Sequence, residues 1–542
     1  MEQLLTIKGL KIAGRVEDQW KPIVKGIDLT LNRGEVIGLI GESGAGKSTI
    51  GLSTMGYTRR GCKITGGSIL FKGEEMIGAP KAKLRQIRGN RIAYVAQSAA
   101  ESFNPAHNLL KQFAEGPIRH GIMSYTEAKE KAVELYERLQ LPEPETIGNR
   151  YPHQVSGGQL QRAMVAMAMS CKPDMIIYDE PTTALDVTTQ IEVLAAIKEA
   201  TRLLNTAAIY ITHDLAVVAQ IADRIMVLRY GELVEEGPTR DLLKNPREVY
   251  TRELLSVRSL REASEAQGRE NEIILKVDNV TAGYVKGTDI LKDINLNVRR
   301  GRTVAVVGES GSGKSTLARV ITGLLPPSEG SIQFGDVTLA PAMKNRSKES
   351  LRRLQMIYQM ADTALNPRQK VKKILGRPLE FYFGMNGNEK NDRISELLDM
   401  IELNDNYKDR YPSELSGGEK QRVCIARALA AKPELIICDE VTSALDQLVA
   451  EEILKLLENL QKQLNISYLF ITHDLDIVKK ISDKIVVMLQ GKIVEQGEKH
   501  NVLTPPHHDY TALLLSSVPK MDPDWLDKLL ESRGQTFHID AA

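Results

Sequence analysis

Two nine-residue stretches of this chain are nearly identical: GESGAGKST at 41–49 and GESGSGKST at 308–316. Each fits G-x-x-x-x-G-K-[ST]. In such a loop the backbone N–H groups wrap phosphate, the lysine reaches the outer phosphates and the hydroxyl faces Mg²⁺. One chance match in a chain of 542 residues has a probability of roughly one in fifty. Two matches, each followed by the same later motifs, mean a duplicated nucleotide-binding domain.

The duplication can be measured. Lys47 to Lys314 is an offset of 267 and Gln97 to Gln359 one of 262. Ser156 to Ser416, Asp179 to Asp439, His213 to His473 and Tyr250 to Tyr510 are each 260. The halves thus differ by small insertions near the front and then keep one register, unlike a short-period solenoid. The first domain is predicted over 1–257. The charged stretch RSLREASEAQGREN, which contains Gly268, marks a linker at 258–272. A second domain follows over 273–520, and a helical tail over 521–542, where DPDWLDKLLES has a Pro near a helix start and apolar residues at helical spacing. That tail is expected to dock onto its own domain.

Bulk composition excludes more than it assigns. A formal net charge of +1 gives no reason to expect binding to nucleic acid or acidic lipid. No uncharged apolar run is long enough to cross a bilayer. The start, MEQLLTIKGLKI, has an acid at once and no cleavable hydrophobic segment. A membrane process would therefore need its spanning helices from other subunits. Cys62, Cys171, Cys424 and Cys438 show no C-x-x-C spacing and read as reduced cytosolic thiols.

Each half alternates strand and helix signals. VIGLI (36–40) and TVAVV (303–307) run into the glycine loops. MIIYDE (175–180) and LIICDE (435–440) end in acids, and AIYITHD (208–214) and YLFITHD (468–474) run through a histidine. Continuous apolar strands between helices predict an α/β fold with a largely parallel sheet covered on both faces. Ligands of such sheets bind beyond the carboxyl ends of the strands, where every motif falls.

The chemistry follows from residue type. Lys47 and Lys314 suit the β- and γ-phosphate oxygens, and Ser48 and Ser315 suit Mg²⁺. Thr49 and Thr316 complete the loops, whose glycines are Gly41, Gly44, Gly46, Gly308, Gly311 and Gly313. Asp179 and Asp439, at strand ends, can reach Mg²⁺ directly or through water. Glu180 and Glu440 stand next, suited to orienting and polarising an attacking water. VSGGQLQR (155–162) and LSGGEKQR (415–422) each open a helix 23 residues before the strand-end Asp. Their glycine-led N–H groups and helix dipole favour an anion.

This order of motifs resembles the ATP-binding subunits of ABC transporters, two of them in one chain, over nearly all of residues 1–520. The resemblance implies, in each half, a mainly parallel sheet with an antiparallel β part and a helical signature subdomain. It matches Gln97 and Gln359 to the loop joining the nucleotide site to the transmembrane partner and adds them to the Mg²⁺ set. Asp186 and Asp446 match the loop crossing between halves, and His213 and His473 the residue touching the γ-phosphate. ATP would be shared: Lys47, Ser48, Gln97, Asp179, Glu180 and His213 with Ser416 and Gly418, and Lys314, Ser315, Gln359, Asp439, Glu440 and His473 with Ser156 and Gly158.

PTTALDVTTQ, FNP (103–105), LNPR (365–368) and the tails NPREVYTRELL and TPPHHDYTALLLSSVP are similar to the ATPases of dipeptide, oligopeptide and nickel importers. That implies an ATP-hydrolysing subunit on the cytoplasmic side of the inner membrane, held there by two transmembrane permease subunits. A separate periplasmic or extracellular binding protein would supply the solute. A soluble ATPase acting on ribosomes is the alternative, but the linker is short and mixed in charge. An exporter ATPase is another.

Three places depart from the family pattern. Tyr284 stands where an aromatic stacks on adenine in the second site, but the first half has Gly14 near that place, with Trp20 a candidate substitute. A missing stack would remove on the order of 1–3 kcal/mol of base binding. Val441 replaces the usual Pro after Glu440 and should alter local stiffness, not chemistry. Glu419 replaces the common Gln of the signature, and its acid near a γ-phosphate should weaken that site. Both halves keep the Glu and the His, so both are expected to hydrolyse ATP.

Overall fold

The structure is a computed structural model that describes residues 2–16, 19–183, 185–256, 272–285, 287–443 and 445–534. The linker predicted at 258–272 lies outside the described residues except for Glu272, as do residues 535–542 of the tail. The chain divides into two compact units. The first gathers Met1–Leu185, Thr189–Val257 and Pro519–Ala542, the second Asp186–Thr188 and Arg258–Val518.

In the first unit the three strands predicted from apolar runs join three others in one sheet, in the order Glu232–Pro238, Arg224–Arg229, Val36–Ile40, Ala207–Ile211, Met175–Asp179 and Ile92–Val95. Only the outermost pair, Glu232–Pro238 with Arg224–Arg229, is antiparallel. Every residue of Val36–Ile40, Met175–Asp179 and Ala207–Ile211 is buried, which is why these strands read as unbroken apolar runs. Asp179 pairs with Ile211 in register. The loops after Ile40, Asp179 and Ile211 therefore leave the sheet at one rim.

A second, antiparallel sheet joins Gln19–Asn32, Gln3–Val16, Cys62–Phe71 and Glu74–Glu75. Its Ile7, Leu10, Ile27 and Ile69 pack with Ile37, Leu39 and Ile209 of the first sheet and with Ile50 of the helix Lys47–Thr54. Each such fully buried side chain stabilises the fold by about 1.5–3 kcal/mol. The phosphate-loop helix is thus fixed from both sides. A helical part, Leu109–Arg119, Tyr125–Arg138 and Gly157–Met169, completes the unit.

The second unit repeats this plan. Its core sheet runs Leu354–Ile357, Leu435–Asp439, Ser467–Ile471, Thr303–Val307, Lys484–Leu489 and Lys492–Glu498. Its antiparallel sheet is Leu291–Arg299, Ile273–Ala282, Glu329–Phe334 and Val337–Thr338. Helices Val371–Pro378, Gly387–Met400 and Gly417–Leu429 pack into one core with Ile436 and Cys438. Among the described residues no helix is long and apolar enough to cross a membrane.

The tail departs from the sequence-based expectation. Helix Trp525–Ser532 packs in the first unit, with Trp525, Leu526 and Leu530 buried. The buried Gln220 amide donates to Lys520 O (2.6 Å) and Asp522 O (3.1 Å), and its oxygen accepts from Leu526 N (3.1 Å). Lys198 pairs with Asp527 at 2.8 Å and Arg240 with Asp524 at 2.5 Å. At the corresponding places of the second half, 260 residues on, stand Glu458, Lys480 and His500. Glu458 would repel Asp527, and Lys480 has no acceptor for the Leu526 amide. The first half alone carries a seat for this helix.

Candidate nucleotide sites

Each site begins where a core strand ends. Gly41 (φ +146°) and Gly308 (φ +154°) turn the chain over a neighbouring strand. A Cβ at Gly41 would stand 2.0 Å from Leu228 O, and at Gly308 2.2 Å from Met488 O, so only glycine passes. Gly44 and Gly46, like Gly311 and Gly313, also have positive φ. Such a run turns successive N–H groups inward and makes an anion nest. Gly46 and Gly313 begin the helices Lys47–Thr54 and Lys314–Thr322, whose N-terminal dipole adds positive potential. Lys47 Nζ donates to Gly41 O and Glu42 O at 2.7 and 2.8 Å, and Lys314 Nζ to Gly308 O and Glu309 O at 2.9 and 2.8 Å. Thr49 is half-buried and Thr316 buried in the first turn of those helices.

Ser48 Oγ donates to Asp179 Oδ1 at 2.6 Å, and Ser315 Oγ to Asp439 Oδ1 at 3.0 Å. The predicted hydroxyl–carboxylate pair is therefore assembled in both units. These hard oxygens suit Mg²⁺, which takes few protein ligands and keeps waters or phosphate oxygens. In the second unit burial pushes the Asp439 carboxyl up, with Ser315 drawing it back, and burial pushes the Lys314 ammonium down. Both groups gain from an added charge of the opposite sign, and a cation with a polyphosphate brings both.

Glu180 and Glu440 stand next to those aspartates with φ +49° and +50°, a left-handed conformation uncommon for a residue with a side chain. Each backbone is held there by a bond to the next strand, Glu180 N to Ile211 O and Glu440 N to Ile471 O, both at 2.9 Å. Val441 follows Glu440 and is buried where Pro181 is, so the absent proline leaves the Glu backbone unchanged.

Each Glu carboxylate is gripped by two predicted site residues. His213 Nδ1 is 3.3 Å from Glu180 Oε2 and His473 Nδ1 is 3.4 Å from Glu440 Oε1. Gln97 Nε2 donates to Glu180 Oε2 at 3.3 Å, and Gln359 Nε2 to Glu440 Oε2 at 2.5 Å. Gln97 and Gln359, expected beside Mg²⁺, are thus placed on the glutamates. Burial works to raise both glutamates, but the His hydrogen bond and charge, with the charge of Lys47 or Lys314, outweigh it and hold them below the ordinary carboxylate value. Burial works to lower His213 and His473, and the glutamates hold them above the ordinary histidine value.

Ser156 and Ser416 begin the signature helices as N-caps in full capping boxes, with Gln159 and Glu419 as the reciprocal partners. Glu419 also accepts from Tyr407 Oη at 2.5 Å. Its acid serves the helix start in the same way that the Gln159 amide does. Gly158 and Gly418 lie against the next long helix: a Cβ would stand 2.0 Å from Thr189 Cγ2 and 2.5 Å from Val449 Cγ1. Asp446 caps the helix Gln447–Leu464 and Asp186 accepts from Thr188 Oγ1 at 2.7 Å. Tyr284 is half-exposed, its hydroxyl accepting from Arg319 at 2.7 Å. Gly14 is paired inside its sheet, Trp20 is 45% exposed with Lys63 Nζ 4.0 Å from its ring centroid, and Tyr284 has Arg319 5.8 Å from its own.

Sequence reasoning missed four contributors. Tyr94 Oη donates to Asp179 Oδ2 at 2.6 Å, and Thr183 Oγ1 to Glu180 Oε2 at 3.0 Å. Met356 replaces Tyr94 in the second half. The hydroxyls of Tyr250 and Tyr510 accept from the phosphate loops. Their shared offset was the only available signal.

A phosphate nest with a lysine, a hydroxyl–carboxylate cation seat and a clamped glutamate define a nucleoside-triphosphate hydrolase of the phosphate-loop class. The ABC transporter family matches residues 24–183 and 291–443, and the oligopeptide/dipeptide transporter C-terminal region matches 234–280 and 494–541. The glutathione import ATP-binding protein GsiA of Salmonella typhimurium is 36% identical over 96% of this chain and 90% of its own length. That of Escherichia coli K12 is 35% identical over the same shares. Among solved structures, cbiO1 from Clostridium perfringens, part of the ABC transporter complex cbiONQ, is 33% identical over 43% of this chain and 91% of its own, with a TM-score of 0.40.

The chain belongs to the ABC transporter family. It is a tandem ATPase that couples ATP hydrolysis to import, and its relatives support neither the ribosomal nor the exporter reading. It binds ATP and works with membrane permease components.

Proposed function

We propose that each half holds one ATP and hydrolyses it with its own glutamate. Lys47 and Lys314 bind the outer phosphates, and the nests of Gly41–Gly46 and Gly308–Gly313 bind the inner ones. Ser48 with Asp179, and Ser315 with Asp439, hold Mg²⁺, joined by the carboxamide oxygens of Gln97 and Gln359. Mg²⁺, when bound, neutralises phosphate charge. Glu180 and Glu440 orient the attacking water, with His213 and His473 set against the γ-phosphate. Trp20 and Tyr284 offer aromatic faces to adenine. Ser416 and Gly418 complete the first site, and Ser156 and Gly158 the second. That pairing rests on the sequence resemblance alone.

The observation that carries this reading is the clamp, made twice: a glutamate in left-handed backbone, next to the cation-seat aspartate, gripped by a Gln and a His. The relatives' name suggests a peptide-like solute of the size of glutathione. Two transmembrane permeases and a separate binding protein complete the importer, with this chain on the cytoplasmic face of the membrane. Glu180→Gln and Glu440→Gln should each lower steady-state ATP turnover by about half or more, and the double variant by at least about tenfold. Turnover abolished by the first and untouched by the second would leave one working site. Copurification with two permeases, and ATPase activity raised by solute-loaded binding protein, test the assembly.

A further inference from the structure

Near the end of each half a tyrosine stands at the same place in the fold. Tyr250 lies on helix Val249–Ser256 and Tyr510 on helix Asp509–Ser516. Glu235 accepts from Arg247 N and Glu248 N at 2.9 and 3.1 Å, and Glu495 from His508 N at 3.0 Å. Both helices are thus pinned to the outer strand of their sheet. Both rings are buried.

The hydroxyls reach the phosphate loops. Glu42 N donates to Tyr250 Oη at 3.3 Å, and Glu309 N to Tyr510 Oη at 2.7 Å. That N–H belongs to the peptide group between Gly41 and Glu42, or between Gly308 and Glu309. The carbonyl of the same peptide accepts the loop lysine, at 2.7 Å from Lys47 and 2.9 Å from Lys314. Tyrosine and lysine therefore grip opposite ends of one peptide plane. Glycine on its N-terminal side leaves that plane unusually free to rotate, so an external brace has work there. The bond forms in two different surroundings: Arg229 lies 4.3 Å over the Tyr250 ring, whereas Leu489 stands at the matching place of the second half.

We propose that Tyr250 and Tyr510 are positioning residues for ATP. Through this one peptide they hold the phosphate loop and its lysine ready for the nucleotide, which gives the C-terminal region of each half a role at the site. The proposal rests on the ATP sites proposed above. Removing the oxygen leaves a loop that must be ordered as ATP binds, so affinity falls while the chemical step, carried by Glu180 and Glu440, stays.

The test uses the full chain with Tyr250→Phe in a Lys314→Ala background and Tyr510→Phe in a Lys47→Ala background. A fluorescent ATP analogue reads each remaining loop. Kd should rise about three- to tenfold for one net hydrogen bond, more for Tyr510, whose bond is shorter. In the otherwise unaltered chain, KM for ATP should rise with kcat within about twofold, and thermal unfolding should not move. Amide exchange at Glu42 and Glu309 must rise in the Phe variants, which reads the brace without any nucleotide. Phe variants with parental affinity and parental exchange, beside Tyr→Leu variants that lose stability, would reduce the tyrosines to packing and overturn the proposal. If the single-lysine parents bind no analogue, the ATP sites fail instead, and the exchange experiment still decides the brace.

Discussion

Glu180 and His213 each stabilise the charge of the other. Burial disfavours both charged forms, yet the contact leaves the glutamate below its ordinary value and the histidine above its own. Between the unfolded values, about 4.3 for Glu and about 6.5 for His, both charges are present and the pair contributes in full. The contribution is lost as pH rises through the raised histidine value, or falls through the lowered glutamate value. Glu180→Gln leaves burial as the main influence on His213, so its pKa should drop below the ordinary histidine value. NMR titration of ¹³C-labelled histidine rings checks this, and a His213 curve unchanged from the parent would mean the pair does not form. Glu180, His213 and their counterparts Glu440 and His473 were legible from motif order alone. Their backbone was not: the left-handed φ of Glu180 depends on a bond to Ile211 across strands. Tyr94 was illegible for the same reason. It is an ordinary strand tyrosine until strand pairing brings it to Asp179.

The signature helices show why a motif glycine is needed for packing as well as for any ligand. A methyl at Gly158 would overlap Thr189 Cγ2 at 2.0 Å, and the two helices would have to part. Gly158→Ala should destabilise the first unit by about 1–3 kcal/mol, read as a lower thermal midpoint. Adding Thr189→Ala should restore most of that loss, and a double variant as unstable as the single one would show that the clash is not the cause. The sequence revealed where this helix begins, through its Ser-Gly-Gly start. It did not reveal the neighbour, because Thr189 and Gly158 meet only after the sheet has brought their helices together. Glu419 is instructive in the same way. Its acid, expected to weaken the site, also serves the capping box and Tyr407, contacts set by helix geometry and one distant side chain that the sequence did not reveal.

Each unit's largely parallel core and its rim of motifs followed from apolar runs and the 260-residue register, whereas the strand order did not. Nor did the seat of the last helix. A short amphipathic helix states that it will dock, not where, and its address is written in Lys198, Gln220 and Arg240 of the first half. Leu526→Ala should cost the first unit about 2–4 kcal/mol where Leu526 is fully buried. Amide exchange should quicken around Gln220 and stay parental around Lys480; the reverse pattern would refute the placement. The arrangement also sets a schedule. A ribosome releases residues 1–257 long before it makes Trp525 and Leu526, so the earlier half must wait, with its seat open to water, until translation is nearly over. A chain truncated before residue 519 and released should therefore display an incompletely closed first half together with a complete second one.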